Sequence, residues 1–185
     1  MVKKKGTDKK VQPYEIGELD QYLFGQGNHY EIYEKMGAHK VTVDGVSGVY
    51  FAVWAPHARR VAVVGDFNGW DFEANYMERI YTCFVPGVDV GDLYKFCIET
   101  QQGKRIFKAD PYANYAELRP GTASRVADIS HLKWTDDAWM ENRKTWDNRT
   151  NPMSIYEVHM GSWMRHPGTE DEGFYTYREF AEAIT

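Results

Sequence analysis

Two strand patterns, one alternating with a period of two and one a continuous apolar run, fall within residues 48–70, GVYFAVWAPHARRVAVVGDFNGW, and the rest of the chain reads around that stretch. Val49, Phe51 and Val53 interleave with Tyr50, Ala52 and Trp54, the pattern of a β-strand covered on both faces or nearly so. Pro56 ends it. Val61, Ala62, Val63 and Val64 form a run too short and too β-branched for a helix, which predicts a second, buried strand. Asn68 and Gly69 tolerate positive φ, as a tight turn requires, and Trp70 stands at the far side of that turn.

The same pattern predicts further strands at 81–85, closed by Pro86-Gly87, at 93–99, at 105–109, ended by Asp110-Pro111, and at 124–129. Counted from Val41, about seven short strands separated by turn residues predict an immunoglobulin-like antiparallel β-sandwich. Before it, residues 16–36 carry apolar side chains at helical spacing, with Asn28 and Glu31 placed as a cap and Gly37 where a left-handed terminating residue belongs. A strap packed on the β-domain is expected there. After Ile129 the chain turns polar, with Trp134, Trp139 and Trp146 spaced before Asn151-Pro152. That composition predicts a connection with one short helix at 136–144, its tryptophans anchored on a neighbour, with a binding role for them as the lesser alternative. A strand at 154–159 and a helix at 176–184 then read as the opening of a β/α unit. The expected organisation is a tail and helical lead-in over 1–40, a β-sandwich over 41–130, a linker over 131–152, and the start of another domain from 153 to 185.

Composition narrows the class. A chain of 185 residues, 43% hydrophobic and 26% charged, can bury a proper core as a globular protein. Its 13 Tyr and 6 Trp suit carbohydrate handling and aromatic packing alike. A net charge of −5 argues against nucleic-acid or anionic-membrane partners, and no stretch approaches the roughly 18 apolar residues of a membrane span. Cys83 and Cys97, both in strand-like stretches, predict reduced core thiols and a cytoplasmic location. Lys3, Lys4, Lys5, Lys9 and Lys10 precede no apolar signal core, which predicts a solvated, disordered tail.

Candidate chemistry is sparse. The six histidines are scattered, without a metal-ligand spacing, and no phosphate loop, nucleophile elbow or Cys-His arrangement is present. No metal or cofactor is expected. Glu157 and His159, two apart on the predicted strand, would point to one side, either into a barrel mouth or, as favoured here, as a buried polar pair fixing the strand. Trp70 has two compatible roles: a platform on which the flat face of a sugar ring stacks, or a plug at the end of the core.

VYFAVWAPHARRVAVVGDFNGWD resembles the starch- and glycogen-binding module, carbohydrate-binding module family 48, that precedes the catalytic barrel of glycogen branching enzymes. Further along, PMSIYEVHMGSWMRH resembles the first barrel strand of the same enzymes, which belong to glycoside hydrolase family 13, and YLFGQGNHYEIYEKMGAH resembles their bacterial lead-in. The resemblance implies an N-terminal part of a 1,4-α-glucan branching enzyme of glycogen biosynthesis: a β-sandwich, then the first strand and helix of a truncated (β/α)8 barrel. It further implies retaining glycosyl transfer, in which one carboxylate attacks an anomeric carbon and a second carboxylic acid protonates the leaving sugar about 5 Å away. The chain is then passed to a 6-hydroxyl. In the family those groups stand on the fourth, fifth and seventh barrel strands. A barrel takes about 250 residues and fewer than 40 follow Pro152, so no catalytic residue and no activity are expected of these residues alone. Glu157 and His159 are not where the family keeps its reacting groups.

For glucan binding the resemblance carries over residue by residue. Trp70 matches a stacking tryptophan, and Lys95 in LYKF matches a lysine that donates to sugar hydroxyls. Phe107 stands where relatives often have a second tryptophan, and Ser124 where they often have an asparagine. The implied partners are α-glucan (glycogen, amylose, maltooligosaccharides) and the remainder of the barrel, with no nucleic acid or membrane. Two alternatives remain in view. A stand-alone glucan-binding module would have no use for SIYEVHMGSW, and an α-1,6-cleaving relative fits KADPYA and RPGTAS less closely.

Overall fold

A computed structural model describes residues 15–77, 81–168 and 173–184. The lysine-rich tail lies outside them. The chain divides into two units, one ending at Leu132 and the other beginning at Lys133.

The first unit is a sandwich of two antiparallel sheets. Strands β1 (Gly37–Val43), β2 (Val46–Ala52) and β4 (Thr82–Pro86) form one sheet in the order β1-β2-β4. The other has β3 (Arg60–Gly65), β5 (Leu93–Glu99) and β6 (Arg105–Lys108) in that order, with the two-residue β7 (Ser124–Arg125) on β5. Asp44 and Gly45, both at positive φ, make the two-residue turn that joins β1 to β2 in the register Val43 opposite Val46. Alternation explains the filling. Val49, Phe51 and Val53 from the β2 segment meet Val61 and Val63 of β3 and Tyr94 and Phe96 of β5 in one buried cluster. Phe51 lies edge-on to Tyr94, ring centroids 5.0 Å apart.

Strand 124–129 is shorter than its pattern predicts. After Arg125 the Val126 N–H donates to the Asp92 carbonyl (2.9 Å) and its carbonyl accepts from Gly91 (2.9 Å), so pairing runs off the end of β5 onto a loop.

The lead-in has its own small core: Ile16, Ile32 and Met36 bury with Ala52. Helix α1 (Glu18–Gly25) follows Gly17, whose N–H donates to Asp20 (2.8 Å). Asn28 does not cap as predicted, for Glu31 precedes the 3-10 turn Ile32–Glu34. Asp20 instead ties the segment together, accepting from Lys35 Nζ at 2.6 Å and lying 2.8 Å from His29 Nε2.

In the second unit, α2 (Asp137–Asn142), α3 (Met160–Trp163) and α4 (Tyr177–Ile184) are separated by irregular chain. Thr176 and Glu179 cap α4 reciprocally, the Thr176 N–H donating to the Glu179 carboxylate (2.8 Å) and the Glu179 N–H to the Thr176 hydroxyl (3.3 Å). Trp163 is the hub, its ring edge-on to Phe180 (4.8 Å) and its Nε1 donating to the Tyr156 hydroxyl (2.8 Å).

The strand predicted at 154–159 is not formed. A strand needs a neighbour to satisfy its backbone, and among the described residues of this unit the one β-bridge joins Arg165 and Phe174. Trp134, Trp139 and Trp146, predicted to anchor on a neighbour, are exposed. Among the described residues no helix is long and apolar enough to cross a membrane.

Candidate functional site

The segment after β3 is built to hold one side chain outward. Gly65 admits nothing larger, since a Cβ there would lie 2.2 Å from the Leu93 carbonyl oxygen. Phe67 turns inward and stacks on Phe51 (centroids 5.9 Å). The Asn68 amide locks the turn: its oxygen accepts from the Gly65 N–H (3.0 Å), and its nitrogen donates to the Val63 carbonyl (3.1 Å) and to Asn75 (2.8 Å). Gly69 and Trp70 follow with φ of +61° and +62°. A bulky residue in the left-handed region costs about 1–3 kcal/mol and persists where its surroundings over-determine it. Here the Trp70 N–H donates to the Gly65 carbonyl (3.0 Å) and its Nε1 to Asp66 (3.1 Å). The indole is 37% exposed, so it does not plug the core.

Register places the other candidates. Directly opposed residues in an antiparallel pair point to the same face. Val64 opposes Lys95, and Cys97 opposes Phe107. Lys95 and Phe107 therefore share the outer face of the β3-β5-β6 sheet as diagonal neighbours. Gly65, which binds the Trp70 backbone, opposes Tyr94, one residue from Lys95. Phe107 is 52% exposed. The Lys95 ammonium donates to the Thr122 hydroxyl (2.7 Å), so both are held above that face.

Ser124 goes elsewhere. It opposes Tyr94, and Tyr94 points into the core. The serine is 2% exposed and its hydroxyl accepts the Asp110 N–H (2.8 Å). Asp110 accepts from the Tyr94 hydroxyl (2.6 Å) and the Tyr112 N–H (2.8 Å). Burial pushes the Asp110 carboxyl above the usual carboxylate range, although the bonds from Tyr94 and Tyr112 oppose that rise. Burial also raises the Tyr94 hydroxyl. This network fixes the start of the 109–124 loop, whose far end supplies Thr122. Sequence reading passed over Thr122 because it lies in a glycine-proline turn, and only the Lys95 contact singles it out.

At the end of the sheet where Arg60, Glu99 and Arg105 align, the same face is closed. Arg60 lies 3.7 Å from the Tyr76 ring centroid and Arg105 3.9 Å from that of Phe72, while Arg105 also pairs with Glu73 (2.7 Å). The open part thus offers a phenyl ring, an ammonium and a hydroxyl, and the turn that follows β3 displays an indole: apolar faces for stacking and polar atoms for hydroxyl groups. Glu157 and His159, predicted as a buried pair, are exposed on irregular chain, and His159 Nδ1 lies 2.9 Å from the Ser162 hydroxyl. Burial pushes the Cys83 thiol up to about 12, and Cys97 is buried. No group of three or more His, Cys, Asp or Glu among the described residues could hold a metal.

Residues 35–113 match carbohydrate-binding module 48 (isoamylase N-terminal domain), and the β-sandwich belongs to that family. The particular relatives are branching enzymes. The chain is 57% identical over 174 residues to the 1,4-alpha-glucan branching enzyme GlgB of Butyrivibrio fibrisolvens, an alignment covering 91% of this chain and 27% of that enzyme. The GlgB enzymes of Protochlamydia amoebophila (50% identical, 92% of this chain, 24% of that one) and Rhodopirellula baltica (44%, 100% and 26%) are similar in the same way. The chain spans about a quarter of the length of these curated relatives, as the N-terminal region of such an enzyme does.

Proposed function

We propose that the sandwich binds α-glucan on the outer face of its β3-β5-β6 sheet and serves a 1,4-α-glucan branching enzyme of glycogen biosynthesis. Trp70 stacks on a glucose ring, Phe107 covers a neighbouring one, and Lys95 donates to ring hydroxyls with Thr122 beside it. Ser124 acts behind the face, steadying the loop that carries Thr122. The observation that carries this reading is an exposed indole held by its backbone in a strained conformation on the turn that follows β3, while the Lys95 ammonium, opposite Val64 at the end of that strand, is held by a hydroxyl. Such a platform meets its ligand at little conformational cost.

The enzyme moves an α-1,4-glucan segment to a 6-hydroxyl with retention, through two carboxylates about 5 Å apart. These lie in the part of the relatives' length that this chain does not span. Residues 131–152 connect the sandwich to residues 153–185, which begin the catalytic barrel and have the rest of that barrel as their partner. The exposed apolar side chains of the second unit, Ile155 at 83% among them, support that assignment. Two unpaired cysteines support a cytoplasmic setting, and the net charge of −5 supports a neutral ligand rather than nucleic acid or membrane.

Titration with maltoheptaose, followed by tryptophan fluorescence, tests the binding. Saturable quenching that weakens at least tenfold in Trp70→Ala is the expected result. No binding, or binding indifferent to Trp70, would overturn the assignment.

A further inference from the structure

The second unit holds a cavity of about 460 Å³ lined by Trp139, Asn142, Arg143, Trp146 and Asn148. That volume falls within the roughly 300–1,000 Å³ of small-molecule sites. All five residues come from ten consecutive positions. The cavity needs no other part of the protein to form, because the backbone curls on itself: Arg143 N–H donates to the Trp139 carbonyl (2.9 Å), Trp146 N–H to Arg143 (3.3 Å), and Asn151 N–H to Asp147 (2.9 Å).

The lining is chemically specific. Trp139 and Trp146 are 61% and 51% exposed, unusual for two indoles within eight residues unless something covers them. Arg143 lies 5.1 Å from the Trp139 ring centroid, which steadies that indole from one face. Among the described residues, the side-chain amides of Asn142 and Asn148 and both indole N–H groups have no hydrogen-bond partner. Two aromatic faces with amide and guanidinium donors around them suit a ring that is apolar on its faces and hydroxylated at its rim. An apolar helix or a phosphate would leave half of this lining unused.

We propose that this cavity is a second carbohydrate site, taking a glucose unit of an α-glucan, distinct from the sandwich face. The hexopyranose class comes from the lining itself; the choice of α-glucan rests on the proposed function. Trp146 and Trp139 stack on the sugar, and Asn142, Asn148 and Arg143 bind its hydroxyls. A glucan held here as well as at Trp70 would be retained by two contacts, raising avidity where one chain reaches both.

The test follows the six indole N–H signals of the full chain by NMR during a maltoheptaose titration, first in the native sequence and then in Trp70→Ala. The Trp139 and Trp146 signals should shift saturably in both proteins while those of Trp134 and Trp163 stay still. Trp146→Ala should abolish the effect at Trp139, and Asn148→Ala, which removes only an exposed amide, should weaken it at least fivefold. Still Trp139 and Trp146 signals would overturn this site while leaving the Trp70 reading intact. Movement at these two with none at Trp70 would support this site and overturn the sandwich reading.

Discussion

A strand pattern occurs in both units of this chain, over 49–54 in the first and 154–159 in the second, and ends in different states. In the sandwich, alternating valines and aromatics reach zero exposure because a second sheet meets them. Among the described residues of the second unit, side chains as apolar as Ile155 stay in the open, and Phe180 is the one buried residue of α4. Amphipathic spacing states which face needs cover, and burial depends on whether a partner supplies it. Strand pattern fails first under that condition, because its backbone as well as its side chains needs a neighbour. Helix α4 closes its own hydrogen bonds and has a complete cap, so it forms.

Substitutions should break that contrast in order of burial. Phe51→Ala removes a ring packed against Tyr94 and Phe67, and should cost about 3–5 kcal/mol in denaturant unfolding of the sandwich. Ile155→Ala in the second unit should change stability by about 0.5 kcal/mol or less. Equal losses would erase the distinction. Tyr94→Phe leaves the buried Asp110 carboxyl short of a donor and should cost about 1–3 kcal/mol, read in the same unfolding experiment.

Acid should reach the lead-in selectively. Partial burial disfavours the Asp20 carboxylate, but the bonds from Lys35, His29 and Gly17 outweigh it and hold the group at about 2, below its ordinary 3.8. A lowered carboxyl value contributes stability that is complete above the ordinary value and is lost as pH falls through that window. The effect is about 1 kcal/mol, given that these partners are partly exposed. Proteolysis of residues 15–36 should accelerate near pH 3, and Asp20→Asn should flatten that response. Smallest of all in stability, Trp70→Ala should leave the unfolding midpoint nearly unchanged while glucan affinity falls, since the indole is displayed rather than packed.

The comparison also explains what could be read from residues alone. Strands β2 and β5 were legible from their alternation and β3 from its short β-branched run, because each is largely buried. Gly37 was legible as a left-handed position. Ser124 was placed at the glucan face because it stands where relatives often have an asparagine, whereas pairing with Tyr94 puts it on the core side of the sheet. Parity across a ladder depends on register, and register is set by partners far away in sequence. Thr122 was missed for the same reason, its contact with Lys95 spanning 27 positions. Residues 154–159 were read as a strand because their pattern is that of a strand, and the missing neighbour is invisible to any local rule.

Hydrogen exchange on the full chain, with and without maltoheptaose, tests the account most directly. It predicts slow exchange in β2, β3 and β5, fast exchange across 154–159, and ligand-dependent slowing at residues 65–70 and around Lys95 and Thr122. Protection of 154–159 equal to that of β5, or ligand that leaves residues 65–70 unchanged, would contradict it.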